Sequence, residues 1–236
     1  MRFSPRATSR AAADPSLGAL LRDLGPQLRR GPAPADAPPV RDATGLPGMD
    51  ALLGGGIPRG RLVEIAGPSG SGRTSLVLGW LARLTRAGEV AAVVDVADAL
   101  DPRSAEAAGV VLPRVLWVRA PGLGEALRAT ERVLEARGFA LVLLDLDTAG
   151  EPATGGRTGA GTWLRLARAA ALSRTSLALL APRRLAGCSD LALELGPSRA
   201  RFSPAPALLE ALESRAVLVR NRHGPSGGES PLVACA

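Results

Sequence analysis

The sequence predicts an α/β fold in which a mostly parallel sheet carries helices on both faces and ends in antiparallel strands at its C-terminal side. Two patterns support this prediction. From residue 43 onward, nearly continuous apolar runs of strand length alternate with runs of helix length, which indicates strands covered on both faces. A glycine-rich turn also joins the first long strand to the helix that follows it.

The composition is that of a globular protein with a sizeable core. The chain has 236 residues, of which 46% are hydrophobic and 22% are charged. Its two cysteines cannot form a disulfide framework, which favours a reducing compartment. The amino terminus has no apolar signal core, and no uncharged stretch is long enough to cross a membrane. We therefore expect a cytoplasmic protein without membrane contact.

All 29 basic residues are arginine, and the net charge is +7. Codon bias explains the missing lysines most simply, but arginine still pairs in a fork with phosphate or carboxylate. The charge is +3 in residues 1–42, −1 in residues 43–150 and +5 in residues 151–236. This distribution suits nucleic acid or an acidic partner.

Residues 1–42 are predicted to form an amphipathic helix and a proline-rich linker ahead of a core domain at 43–236. Asp14 and Pro15 are typical of a helix start, and the segment 31–40 has the proline content of a stiff linker. The helix either docks on a partner or packs on its own domain, since its apolar stripe needs a covering surface. The candidate interface leucines of this stripe are Leu17, Leu20, Leu21 and Leu24.

The elements of the core follow from apolar periodicity and from glycine and proline stops. Strands are predicted at 61–67, 89–96, 114–120, 139–147 and 175–182. Helices are predicted at 74–88, 102–109, 124–138 and 163–173, with a Gly/Thr-rich loop at 148–162. Two further strands, at 191–195 and 215–222, are expected to be antiparallel.

The turn after the first of these strands has the spacing of a phosphate-binding loop, with arginine where lysine belongs. Its glycines let backbone N–H groups curl around a phosphate at a helix amino terminus. Arginine is bulkier and planar, so the replacement of lysine is not conservative in a tight cradle. The residues of this degenerate nucleotide site are Gly67, Pro68, Ser69, Gly70, Ser71, Gly72, Arg73 and Thr74.

Asp145 ends the apolar strand that begins at Phe139. An aspartate at the carboxyl end of a parallel strand faces the ligand edge of the sheet, where such a residue helps to hold Mg²⁺. Asp147 is the competing candidate for this role.

Several segments in the same order resemble the RecA recombinase core over about residues 44–236. The stretch TGLPGMDALLGGGIPRGRLVEIAGPSGSGRTS (44–75) is similar to the family's entry, and DVADALDP (95–102) is similar to its D-A-E-H-A-L-D-P run. RAVLVRNRHGP (215–225) resembles its strand with a basic-Asn-basic tip. The resemblance implies a RecA-like phosphate-loop fold. It also implies that Arg220 and Arg222 lie where the family reaches a neighbour's nucleotide.

The sequence departs from this family where the chemistry of ATP hydrolysis resides. The resemblance puts the family's catalytic glutamate at Ala97, which cannot activate a water molecule. The resemblance also puts an Asn-Gln sensor at the end of the strand 175–182, where the run here is Leu180-Ala181-Pro182. The segment 183–190 is too short for the family's second DNA-binding loop. Together with Arg73, these changes predict a pseudo-ATPase with no catalytic residues, although weak residual activity stays open.

The resemblance is strongest to shortened RecA-like accessory proteins of SOS mutagenesis, the ImuA/SulA-like family. It implies a non-catalytic adaptor in DNA damage-induced translesion synthesis whose partners are RecA, an inactive Y-family polymerase subunit (ImuB-like) and an error-prone polymerase. No cofactor or metal is required on this interpretation, and binding of ATP with Mg²⁺ stays open.

Two alternatives remain from other classes of function. One is a divergent ATP-dependent recombinase that forms its own filament, and the other is a DNA-binding module without turnover. With few aromatic residues, DNA contacts would be made to phosphate and would weaken with salt. The candidate DNA-contacting residues are Arg157, Arg165, Arg168, Arg183 and Arg184.

Overall fold

A nine-stranded sheet organises the chain in this computed structural model, which describes residues 40–146, 159–205 and 207–235. The leucines of the predicted amino-terminal helix and Arg157 lie outside the described residues. The helices are α1 (Pro47–Leu52), α2 (Arg73–Arg86), α3 (Pro102–Ala107), α4 (Leu123–Ala136) and α5 (Ala160–Ser173). The strands are β1 (Arg41–Asp42), β2 (Ile57–Pro58), β3 (Leu62–Ala66), β4 (Ala91–Asp95), β5 (Val115–Arg119), β6 (Leu141–Asp145), β7 (Ser176–Ala181), β8 (Leu191–Leu195), β9 (Arg199–Phe202), β10 (Leu209–Asn221) and β11 (Glu229–Cys235).

The strand order in the large sheet is β11-β10-β8-β3-β7-β6-β4-β5, with β9 paired to β10. The strands from β8 to β5 in this order are all parallel, whereas β10 is antiparallel to β8 and β11 is antiparallel to β10. The mostly parallel α/β fold with antiparallel strands at its C-terminal side is therefore confirmed. β1 and β2 form a separate two-stranded sheet.

One predicted strand has the wrong direction. The segment 191–195 was expected to be antiparallel, but β8 is parallel to β3, with Val63 opposite Leu191 and Ala66 opposite Glu194. A strand that is parallel to its neighbour needs a crossover connection, which usually takes a dozen or more residues, whereas the connection between β7 and β8 covers only residues 182–190. The chain makes the crossover without a helix, because residues 182–190 run back across the sheet and bond to a side chain of β3.

Other differences concern irregular sequence. α5 begins at Ala160, inside the predicted loop, and the short elements β1, α1 and β2 were not predicted. β10 begins well before residue 215, while β9 and β11 were missed. β11 contains Pro231 and lies at the sheet edge, where proline is tolerated, so its sequence gives a weak strand signal.

Side chains that alternate along each strand divide the core into two layers. Leu143 of β6 packs with α2 in one cluster, whereas Leu144 packs with α4 and α5 in the other. Trp80 of α2 and Trp163 of α5 are buried in these respective clusters. The alternation puts the side chain of Asp145 on the α2 face, beside the turn that follows β3.

Candidate phosphate-binding site

The glycine-rich turn connects the carboxyl end of β3 to the first residue of α2, as predicted. Gly70 and Gly72 have φ angles of +75° and +88°, which side chains rarely adopt. A Cβ atom on Gly67 would lie 2.6 Å from the carbonyl oxygen of Leu195. Gly72 caps α2 without a side chain, so the first turn of this helix presents its amino-terminal dipole to the turn.

Arg73, the residue in the lysine position, is buried, with 3% of its surface exposed. Thr74 follows it and is exposed at the start of α2. A buried guanidinium keeps the positive charge at the loop, but its planar fork differs from the compact ammonium of lysine. The positive charge of the lysine position is thus retained on a side chain of different shape.

Asp145 and Thr74 line one small cavity of about 70 Å³. Asp145 lies in register with Asp95 of β4 on one side and with Leu180 of β7 on the other. A threonine hydroxyl beside a strand-end carboxylate is a donor set that suits Mg²⁺. The structure therefore places Asp145, which the sequence predicted for this role, beside Thr74 of the phosphate loop, whereas Asp147 lies outside the described residues.

The turn at Ala97 wraps around a buried carboxylate. Asp95 is 1% exposed, and its two oxygens accept hydrogen bonds from the amides of Ala97 (3.1 Å) and Leu100 (2.9 Å). Asp98 points outward, where it forms an ion pair with Arg119 at 2.9 Å. Asp95 and Asp98 are thus both held by contacts within the chain, and the methyl group of Ala97 cannot act as a base.

Glu64, which sequence reasoning missed, organises the connection between β7 and β8. This glutamate is completely buried in β3 and accepts hydrogen bonds from the amides of Leu185 and Ala186, the second at 2.8 Å. Its other oxygen lies 3.5 Å from Nε of Arg184. A charged residue inside an apolar strand was the available signal, because buried carboxylates need partners.

The same connection is held from its other side by Arg220, whose guanidinium donates to the carbonyls of Gly187 and Ser189. Cys188 lies between these anchors, and burial raises the pKa of its thiol. Bonds at both sides thus fasten the segment 182–190 to the sheet.

The candidate DNA-contacting arginines are not gathered on one surface. Arg165 and Arg168 line a groove between α4 and α5, where Arg165 pairs with Glu131 at 2.6 Å. Arg183 and Arg184 follow β7 instead, and Arg184 is committed to Glu64 and lies 3.9 Å from Glu194. Of the four that are described, Arg184 therefore serves an evident structural role.

Arg220 and Arg222 lie at the edge of the sheet opposite to the phosphate loop. β10 runs antiparallel to β8, so its residue Asn221 pairs with Leu191 at the start of β8. Arg220 is used within the chain, as described above, whereas the side chain of Arg222 is exposed. Neither residue can reach the phosphate loop of its own chain across a five-residue strand, which spans about 16 Å.

Within the described residues, no three side chains of His, Cys, Asp or Glu come together as a metal site. None of the helices in these ranges combines the length and the apolar character that crossing a bilayer requires.

The fold and the loop define a phosphate-loop α/β protein. The sequence profile of the RecA N-terminal domain matches residues 40–162, and the chain belongs to this family. It is 41% identical over 138 residues to Protein RecA of Methylococcus capsulatus, and this alignment covers 55% of this chain and 40% of that protein. It is 42% identical over 98 residues to Protein RecA of Rippkaea orientalis, covering 41% of this chain and 28% of that protein.

The chain spans well under half the length of these curated relatives. Among solved structures, a crystal structure of the RadB recombinase superposes with a TM-score of 0.62 at 24% identity. The match covers 80% of this chain and 94% of the other. It supports the RecA-like fold alone.

Proposed function

We propose that this RecA-family protein is a non-catalytic adaptor of the ImuA-like kind, which acts in DNA damage-induced mutagenesis by joining RecA to an error-prone polymerase complex. On this proposal the RecA-like shell supplies binding surfaces, and it does not convert ATP hydrolysis into motion. Fold alone does not assign function, so the proposal depends on the residues of the site.

The turn at residues 95–100 is the observation that carries the proposal. Hydrolysis needs a base that orients and deprotonates water. Ala97 has no such group, Asp95 gives both oxygens to backbone amides, and Asp98 is paired with Arg119. Among the described residues lining the nearby cavity, Asp145 alone carries a charge, and its expected role is to hold metal.

ATP and magnesium would be held by groups that do fit them. The loop Ser69–Thr74 has the glycines and the helix amino terminus that receive phosphates, and Thr74 with Asp145 would hold Mg²⁺. Bound nucleotide would supply negative charge that orders the loop. This chain's own residues then bind and orient the phosphates without moving a proton.

One exposed arginine and one stripe of leucines predicted from the sequence are proposed to contact a RecA-type partner. Arg222 is exposed at the edge opposite to the phosphate loop, where it is free to approach a neighbouring molecule. The predicted amino-terminal stripe of Leu17, Leu20, Leu21 and Leu24 provides an apolar anchor. Both are proposed to bind RecA, with the polymerase subunits bound elsewhere on the core.

The adaptor role is tested by capture of purified RecA and polymerase subunits on the immobilised full chain. Replacing Leu17→Asp and Leu21→Asp together should abolish capture of RecA. Ala19→Asp, which adds one negative charge to the opposite side of the predicted helix, is the control for an added charge and should leave capture unchanged. Equal capture of RecA by the parent chain, the double leucine variant and the Ala19→Asp variant would contradict the proposed docking stripe. Failure of the parent chain to capture RecA and the polymerase subunits would contradict the adaptor role.

DNA binding is the second candidate, favoured by the exposed Arg183 and by the +5 charge of residues 151–236. Contacts to phosphate predict that affinity for single-stranded DNA falls steeply with salt. Fluorescence anisotropy across a salt series tests this expectation. Affinity that does not change with salt would remove this candidate.

A further inference from the structure

A further cavity lies at the carboxyl end of α2, away from the phosphate loop. Its volume is about 680 Å³, within the roughly 300–1,000 Å³ that ligand pockets usually have. α2 is 14 residues long, so its two ends lie about 20 Å apart, and this cavity is separate from the phosphate loop. The charged residues that line it are Arg41, Asp42, Arg59, Arg83, Arg86 and Glu89.

The two carboxylates of this cavity are bound by the same arginine. Nε and Nη2 of Arg59 donate to Asp42 at 2.9–3.0 Å, and Nη2 also donates to Glu89 at 2.8 Å. With four arginines and two carboxylates, the lining carries a net charge of +2. The other three arginines of the lining have no carboxylate partner among the described residues.

Two of these three arginines are fixed by carbonyl groups, which orient a guanidinium without neutralising its charge. Nη1 of Arg41 donates to two backbone carbonyls at 2.9 and 3.0 Å, and Nε of Arg86 donates to the carbonyl of Gly109 at 2.9 Å. Arg83 is exposed, and its side chain forms no hydrogen bond or ion pair within the part of the chain that the structure describes. Its guanidinium is therefore available to an anion.

The carboxyl end of α2 offsets only part of this positive charge. The helix dipole places about half a negative charge at that end, whereas the lining carries +2. Arginine side chains pair with carboxylates and phosphates in a fork of two hydrogen bonds. The cavity thus has the charge and the donors that receive an acidic ligand.

The rest of the lining favours a peptide over a nucleic acid. Among the described residues that line the cavity none is aromatic, so the bases of a nucleic acid have no ring on which to stack. Asp42 and Glu89 would repel a continuous phosphate backbone, whereas a peptide can place its carboxylates beside the arginines alone. An aliphatic side chain of the peptide would find an apolar wall, which consists of Ala43, Leu46, Ala82, Leu84, Ala87 and Ala108.

We propose that this cavity is a docking site for an acidic segment of a partner protein. Carboxylates of the segment pair with Arg41, Arg83 and Arg86, and an aliphatic side chain packs against the apolar wall. The inference goes beyond the proposed function, because this surface includes neither the predicted leucine stripe nor Arg222. It does not depend on whether the chain binds RecA.

Fluorescence anisotropy of the full chain with a labelled peptide that has several glutamates around one leucine tests the inference. The peptide should bind, and its affinity should fall as salt is added. Arg83→Glu should weaken binding by about tenfold or more, because an attraction becomes a repulsion. Arg132→Glu makes the same change of charge at an exposed position of α4 outside the cavity, so it is the matched control and should leave binding unchanged.

A second variant tests the apolar wall. Ala87 is exposed at the end of α2, and Ala87→Glu adds a carboxylate to the wall without removing an arginine. This variant should weaken peptide binding by about threefold or more. Circular dichroism checks that each variant is folded.

Four results would overturn the inference. Absence of peptide binding by the parent chain would exclude the site, and equal affinity for a peptide with glutamine in place of every glutamate would exclude recognition of charge. Equal losses in the Arg83→Glu and Arg132→Glu variants would show attraction to net charge alone. Single-stranded DNA that loses affinity with Arg83→Glu, while the peptide does not, would reassign the cavity to nucleic acid. Capture of RecA is a separate measurement, so failure here is distinguishable from failure of the adaptor role.

Discussion

Replacing Glu64 is expected to loosen the connection between β7 and β8 more than any surface substitution. Glu64→Ala leaves the amides of Leu185 and Ala186 without their acceptor. Each unsatisfied buried group costs about 1–3 kcal/mol, and because Leu185 is only half-buried we expect a total loss of about 2–4 kcal/mol. Glu64→Gln keeps an acceptor oxygen and should cost about 1–2 kcal/mol, the difference between charged and neutral bonds.

Urea unfolding of the parent chain and both variants measures these free energies. Hydrogen exchange should accelerate at the amides of Leu185 and Ala186 in the alanine variant. Glu194→Ala is the matched control, because Glu194 lies 3.9 Å from the same Arg184 but is half-exposed, and such a pair contributes at most about 1 kcal/mol. Equal stability of the Glu64→Ala and Glu194→Ala variants would show that the buried carboxylate contributes no more than the exposed one.

Three further predictions follow from single residues. Gly72→Ala should destabilise the protein by about 1–3 kcal/mol more than Gly88→Ala in urea unfolding. Both glycines have φ near +90°, but a Cβ atom at Gly72 would lie 2.9 Å from Leu232 and 3.4 Å from Ser214, whereas one at Gly88 would meet no atom within 4 Å; equal losses would contradict this packing. In a Cys235→Ser background, Cys188 should react with iodoacetamide more slowly in the folded than in the urea-unfolded chain, since burial raises its pKa, and equal rates would argue against this. The hydrogen bonds from Ser104 lower the pKa of Asp101, so its stabilising effect is full above the unfolded-state pKa and fades as pH falls through the folded-state pKa. The stability difference between the parent chain and Asp101→Asn should therefore be smaller at about pH 3 than at about pH 7, and a constant difference would contradict the assignment.

Local sequence patterns predicted the part of the site that lies between β3 and α2. The glycines of the loop, the start of α2 and the strand-end position of Asp145 each depend on a few neighbouring residues, so periodicity and turn chemistry were sufficient. The position of Asp145 at the ligand edge followed from the rule that the carboxyl ends of parallel strands lie at one edge of the sheet, and the structure adds the cavity that Asp145 shares with Thr74.

The packing of β10 and β11 against the phosphate loop and the direction of β8 could not be predicted from local patterns. Ser214 and Leu232 lie more than a hundred residues after Gly72 in the sequence, yet both would lie within 3.4 Å of a Cβ atom at that glycine. Nothing in their own segments specifies that proximity. β8 is parallel to β3 because residues 182–190 form an extended crossover, and Glu64 of β3 accepts hydrogen bonds from this crossover although it lies more than a hundred residues away in sequence. The ion pair between Arg165 and Glu131 likewise joins two helices, and counting charges along the sequence cannot identify such a partner.

ATP turnover by the purified full chain, with and without single-stranded DNA, distinguishes a non-catalytic adaptor from an active recombinase. The parent chain should release phosphate no faster than its Thr74→Ala variant, because no carboxylate at the turn after β4 is available to activate water. DNA-stimulated turnover that exceeds the variant's rate by about tenfold or more would contradict the account and favour an active recombinase.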